Sequence, residues 1–162
     1  MAVSWPHPSW FRVPLGVLSV TANYGALWYV LALLPLFLGE SRPLAKAMYV
    51  AVPVTLVEAS GFLIKLRVAR PRPPVADPSL PGHIPVPFSK SFPSSHASMS
   101  VVGTMTLASL WPDALPYLVA LTAVLCFSRV YLGVHYLGDV LGGVVYGLAF
   151  GAVWVLLVPM PG

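Results

Sequence analysis

Charge is what this chain has least of. Only 9% of its 162 residues are Asp, Glu, Lys or Arg, against 57% hydrophobic, whereas a soluble globular domain carries about 25% charged residues. A soluble globular domain is thereby excluded, and an integral membrane protein is expected. Cysteine is nearly absent as well. Cys126 is the only one, so an internal disulfide is excluded, and its place in an apolar run suits a small buried side chain. No basic region or small-residue cleavage site precedes the first long apolar stretch, which therefore reads as a retained helix rather than a signal peptide. No internal repeat is evident, and the length suits one compact unit over residues 1–162.

Apolar runs are what the chain has most of. About 20 apolar residues cross the hydrocarbon core as a helix, and five stretches approach that length: 14–38, 44–64, 95–111, 116–132 and 137–158. The expectation is an all-α integral membrane protein, a single bundle of about five transmembrane helices. Ahead of them, residues 1–13 mix Trp5, Pro6, Pro8, Trp10, Phe11 and Arg12, the composition of an interfacial arm. Between the second and third spans, residues 71–93 hold six prolines from Pro73 to Pro87, so neither helix nor sheet is expected to persist there. This segment reads either as a connector kept out of lipid or as a lid in which Phe88, Lys90 and Phe92 admit a lipid headgroup. The third span, with Ser98, Ser100, Gly103, Thr104, Thr106 and Ser109, is suited to burial among neighbours. In the fifth, Gly143, Gly147 and Gly151 recur every fourth residue and invite close helix packing.

The net charge is +4, with most basic residues in or next to 65–90. An anionic, phosphate-bearing ligand explains that concentration better than nucleic acid does. The polar residues fall into Lys65-x6-Arg72-Pro73, Pro93-Ser94-Ser95-His96 and Ser128-Arg129-x5-His135-x3-Asp139. Ionisable groups beside apolar spans are expensive and mark function by default. If the spans alternate in direction, the end of the second, the start of the third, the end of the fourth and the start of the fifth share one membrane face. All three motifs then converge.

Within that cluster His135 and Asp139, four residues apart at a helix start, share a face. The carboxylate is expected to accept a hydrogen bond from the imidazole, leaving the other ring nitrogen as a nucleophile. Ser94 and Ser95 occupy helix N-cap positions, where the free amides of the next turn cradle an anion. Lys65, Arg72 and Arg129 can neutralise a phosphoryl group in transfer without a metal, and His96 can protonate the leaving oxygen. A rival two-histidine, one-carboxylate metal site at His96, His135 and Asp139 is opposed by the same three cations. No metal or cofactor is expected. Glu58, two turns before Lys65, reads either as support for the site through a polar neighbour or as one end of a structural buried hydrogen bond.

These three motifs resemble the signatures of the type 2 phosphatidic acid phosphatase superfamily, over nearly half the chain. The resemblance implies a membrane-embedded helical bundle and a metal-independent lipid phosphatase. It implies His135 as nucleophile, His96 as acid and Asp139 as the orienter of His135, with Lys65, Arg72, Ser94, Ser95 and Arg129 holding phosphate. Two departures stand out. Family members commonly have glycine where Ser95 stands, so the cradle here should keep ordinary backbone angles, and they commonly have six spans where five are counted.

Small bacterial-type members of that family act on polyprenyl diphosphates, polyprenyl-phosphate sugars, phosphatidylglycerol phosphate or phosphatidate. A polyprenyl carrier in a plasma membrane is the leading expectation. A vanadate-dependent haloperoxidase and a non-catalytic lipid-binding or transport protein are the other classes. Basic residues on the motif face argue for a cytoplasmic site, whereas family members that recycle exported carriers have theirs outside. Oligomeric state is left open.

Overall fold

The computed structural model describes residues 8–162, so Trp5 and Pro6 of the expected arm lie outside the described residues. From Ser9 the chain is helical, which assigns Trp10, Phe11 and Arg12 to the first helix. All regular structure among the described residues is helical. The helices are α1 (Ser9–Thr21), α2 (Ala26–Ala32), α3 (Leu34–Phe37), α4 (Pro43–Val68), α5 (Pro73–Ala76), α6 (Ser95–Leu110), α7 (Leu115–Tyr131) and α8 (Leu137–Leu157). The architecture is an all-helical bundle of about five main members, the bent α1–α2 pair counting as one.

Among the described residues three helices are long and apolar enough to cross a membrane: Pro43–Ala76, Pro112–Tyr131 and Leu137–Leu157. The bent pair Ser9–Thr21 and Asn23–Phe37 makes a fourth if it is one span. The expected continuous span 14–38 is thus broken, by 52°. Its cause is local. The Thr21 hydroxyl takes up the Val17 and Leu18 carbonyls, and Tyr24 (φ 55°) and Gly25 (φ 78°) turn left-handed, a conformation only glycine adopts freely. A Cβ on Gly25 would lie 3.1 Å from Met99 Sδ and 3.2 Å from Val54, so the break lets the backbone press against α4 and α6.

The third expected crossing, α6, is only 16 residues long and lies at the centre of the bundle, packed by α4, α7 and α8. Its residues 96–104 are all buried, as its small and hydroxylated composition requires. The glycine face of α8 is what allows this. A Cβ at Gly143 would meet the Ser94 carbonyl oxygen at 2.6 Å, one at Gly147 the Ser98 oxygen at 2.8 Å, and one at Gly151 Met105 Sδ at 2.6 Å. On the opposite side Gly103 admits Trp28, whose ring would stand 2.3 Å from an added Cβ. The apolar core gathers Trp28, Val50, Val54, Val57, Met99, Val102, Leu107 and Leu125 around this helix.

The second expected span, 44–64, runs on to Val68, so Lys65 lies inside α4 rather than just beyond it. The helix stops where Ala69 turns left-handed (φ 50°) and its amide closes on the Lys65 carbonyl at 2.9 Å. In the proline-rich segment one helical turn does form, at Pro73–Ala76, because its prolines occupy the first positions, where no amide is needed. The remainder is irregular backbone laid over the α7–α8 connection. His83 N reaches Leu132 O at 3.1 Å, and the Pro81 carbonyl sits 2.9 Å from where a Gly133 Cβ would be.

Candidate active site

Four chain segments meet at one end of the bundle: the end of α4, the start of α6, the end of α7 and the start of α8. Between the last two, Gly133 (φ 73°) makes the turn that only glycine makes without strain. The amides of Val134 and His135 then fold back onto the Arg129 carbonyl at 3.2 and 3.1 Å. This doubling-back puts Arg129 and His135 beside each other.

A cavity of about 360 Å³ opens here. Arg72, Ser95, His96, Arg129 and His135 line it together with Glu58. Both imidazoles therefore face one space, with two guanidinium groups. Lys65, Ser94 and Asp139 are not in its lining but stand behind it. The buried Lys65 ammonium donates to the Pro93 carbonyl (2.6 Å) and the Ser95 hydroxyl (2.7 Å), so it holds the start of α6 in place.

Ser94 is the N-cap of α6, in extended conformation (φ −74°, ψ 113°), and its side chain makes no capping hydrogen bond. Its hydroxyl is buried without a partner, while its amide donates to the Asp139 carbonyl at 3.0 Å. The first-turn amides of α6 have no carbonyl below them, and no left-handed residue is needed to present them. That agrees with serine rather than glycine at position 95.

Arg72 is the most heavily engaged cation. Its Nε donates to the Ser89 carbonyl (2.8 Å) and Nη2 to the Ser89 hydroxyl (3.1 Å), while Nη1 reaches both the Val134 carbonyl (2.9 Å) and His135 Nε2 (2.8 Å). Arg129 uses Nη1 on the Ser19 hydroxyl at 2.6 Å, and its buried Nε has no partner. The Ser19 carbonyl also holds His96 Nε2 at 3.0 Å. Burial pushes the His135 imidazole down to about 3; Asp139 opposes this and the charges of Arg72 and Arg129 reinforce it.

His135 Nδ1 faces Asp139 Oδ2 at 3.5 Å, the i, i+4 contact that the spacing suggested, and this contact opposes the effect of burial on the imidazole. The carboxylate has other partners as well. Oδ2 accepts from the Ser91 hydroxyl and from the Tyr136 amide, the latter at 2.9 Å, and Oδ1 pairs with Arg70 at 2.9 Å. Asp139 caps its own helix as well as facing the histidine. Glu58 lines the cavity itself, and its Oε2 is buried without a hydrogen-bond partner.

Several contributors escaped the sequence reading. Ser19 sits in an apolar helix 110 residues from Arg129 and carries no motif. Ser89 and Ser91 lie in the proline-rich segment, close before the Pro93 motif, where their position is the only hint. Arg70, whose guanidinium stacks 4.1 Å over the Tyr136 ring, stands outside the three motifs. Of the loop residues thought to admit a headgroup, Phe88 lines the cavity. Phe92 packs on Gly142, and Lys90 is exposed.

Comparison with known families decides the class of this site. The PAP2 superfamily model matches residues 46–161, which include every motif residue above. The chain belongs to the PAP2 superfamily. Its similarity to individual members points the same way. It is 32% identical over 126 residues, 78% of this chain and 68% of the relative, to decaprenylphosphoryl-5-phosphoribose phosphatase of Mycobacterium tuberculosis. A protein of the same name from Mycolicibacterium smegmatis is 32% identical over 128 residues, covering 78% and 67% of the two chains. A shorter match, 44% over 63 residues (36% of this chain, 30% of the relative), is to YbjG of Escherichia coli K12, provisionally named an undecaprenyl-diphosphatase. This PAP2 protein is accordingly a membrane hydrolase acting on phosphate esters.

Proposed function

We propose that this PAP2 phosphatase is a single-domain, multi-pass protein of a bacterial-type plasma membrane. It removes the terminal phosphate from a polyprenyl-linked substrate, a sugar phosphate carried on polyprenyl phosphate or a polyprenyl diphosphate, without a metal ion. One observation carries the reading: His96 and His135 line a single cavity with Arg72 and Arg129, which suits two imidazoles flanking one tetrahedral anion. The names of the relatives supply the lipid class.

In the proposed reaction the terminal phosphate enters between Arg72 and Arg129 and draws Arg72 from His135 Nε2. The freed lone pair attacks phosphorus and the bond from phosphorus to the leaving oxygen breaks. His96 protonates that oxygen. Because the Ser19 carbonyl can only accept, His96 Nε2 keeps its proton there; Nδ1 first takes the proton of the entering monoanionic phosphate and then delivers it to the leaving oxygen. Asp139 stabilises the charge that develops on His135. Water, its proton taken by His96, then attacks phosphorus, the P–N bond breaks, and inorganic phosphate leaves. Ser95 and the first amides of α6 complete the cradle that Lys65 and Ser94 hold in shape.

The test is phosphate release in detergent with chelator. The substrates are a polyprenyl-phosphate pentose phosphate, a polyprenyl diphosphate, phosphatidylglycerol phosphate and phosphatidate. Activity should survive chelation and be highest on a polyprenyl substrate. His96→Ala should lose about a hundredfold or more, and His135→Ala should abolish both turnover and the phosphoryl-enzyme trapped by rapid quenching. A His135→Ala protein that still forms a labelled intermediate overturns the chemistry.

A further inference from the structure

Glu58 is the one acid lining the cavity, and the proposed chemistry leaves it unused. It lines the same space as Arg72, Arg129 and both imidazoles, yet its Oε2 is buried and has no hydrogen-bond partner. A carboxylate only accepts, so this half-buried one, with one oxygen left unpartnered, calls for donors from whatever fills the cavity.

Its surroundings say which donors. Asn23 and Tyr24, from the break between α1 and α2, line the cavity with Glu58, as do Phe62 on α4 and Phe88 of the proline-rich segment. Tyr24, Phe62 and Phe88 also have exposed rings, which gives the cavity an apolar margin. Glu58 and Asn23 therefore make a polar patch in a space that has guanidinium groups on one wall and aromatic side chains on another. A ligand that matches these linings carries an anionic phosphate, a hydrogen-bonding middle and an apolar tail.

We infer that Glu58 accepts hydrogen bonds from the hydroxyl groups of a carbohydrate lying between the transferred phosphate and the lipid, and so selects a polyprenyl-linked sugar phosphate over a polyprenyl diphosphate. The inference rests on the polyprenyl reading above. It follows from chemistry: the inner phosphate of a diphosphate is anionic and offers acceptors, so it would face Glu58 with like charge, whereas sugar hydroxyls donate. Glu58 thus sets specificity by attraction to one substrate and repulsion of the other.

The experiment compares kcat/KM of wild type and Glu58→Gln on a polyprenyl-phosphate pentose phosphate and on a polyprenyl diphosphate of equal chain length. Wild type should prefer the sugar phosphate. Glu58→Gln should lose about tenfold or more on it and gain on the diphosphate, inverting or flattening the ratio. Should Glu58→Gln not fold, the wild type is assayed with the 2-deoxy and 3-deoxy pentose substrates, and at least one must lose about tenfold. A wild type active on both lipids whose ratio Glu58→Gln leaves in place, or full activity on both deoxy substrates, overturns the subsite alone. A wild type that prefers phosphatidate or phosphatidylglycerol phosphate to either polyprenyl lipid overturns the polyprenyl reading, and the subsite with it.

Discussion

Arg72 Nη1 stands 2.8 Å from His135 Nε2 and 2.9 Å from the Val134 carbonyl. A guanidinium only donates, so Nε2 is the accepting nitrogen and the neutral ring carries its proton on Nδ1, toward Asp139. In this arrangement the nitrogen proposed to attack is in the required tautomer and is covered by the cation that would hold the phosphate.

Arg72→Lys tests that coupling. Lysine keeps the charge but cannot bond Ser89, Val134 and His135 from one rigid fork. We expect kcat/KM to fall by about a hundredfold, with a smaller loss of stability, about 1–3 kcal/mol, from the carbonyls left bare. Steady-state kinetics and thermal unfolding in the same detergent separate the two. Activity within about threefold of wild type would remove Arg72 from the site.

Ser91 is expected to position Asp139. Its hydroxyl holds Oδ2, the same oxygen that faces His135, so Ser91→Ala should let the carboxylate move. We expect kcat to drop about tenfold with KM little changed, and Ser91→Thr to restore most of it. A parallel loss of thermal stability that Ser91→Thr does not repair would mark the serine as structural only.

What could be read ahead of the structure divides by physical range. The convergence of Lys65, Arg72, His96, Arg129 and His135 was legible because alternating helices leave few places for their ends, and charged groups next to apolar runs stand out. The glycine stripe of α8 was legible because a period of four needs no partner to be recognised. The break at Tyr24–Gly25 was not, since hydropathy does not change across it and the close approach to Val54 and Met99 that it permits involves residues far away in sequence. Ser19 could not be found, because a serine inside an apolar helix is common and its partners, Arg129 and His96, are far away in sequence. At Asp139 the spacing from His135 showed the facing pair, but not the Tyr136 amide, Ser91 and Arg70 that share the carboxylate, since the latter two are far away in sequence.

Packing of α8 on α6 should depend steeply on Gly147. An added Cβ would sit 2.8 Å from the Ser98 carbonyl oxygen and 3.0 Å from Ser98 Cα, both backbone atoms that cannot swing aside. Gly147→Ala is expected to destabilise by about 1–3 kcal/mol, and because Ser98 follows His96 on the same helix, activity should fall with it. Gly61→Ala is the matched control: its Cβ would meet only Tyr146 at an ordinary 3.6 Å, and unfolding midpoints should not move. Equal behaviour of the two variants would show that α6 and α8 are not packed as described.

His135 should remain neutral across the working range. Burial lowers it from 6.5 to about 3, so between those values the unfolded chain takes up a proton that the fold refuses. The sign follows: this group's contribution to stability is fully present above about pH 6.5 and is lost as pH falls toward 3. In the free enzyme the acid limb of kcat/KM should then show no inflection from the nucleophile near 6.5. Nitrogen NMR of histidine-labelled protein reads this directly, since the chain has four histidines. One ring, absent in His135→Ala, should keep the neutral Nδ1–H pattern from about pH 8 to about pH 5. A His135 ring that titrates near 6.5 would contradict both its burial and the covering contact with Arg72.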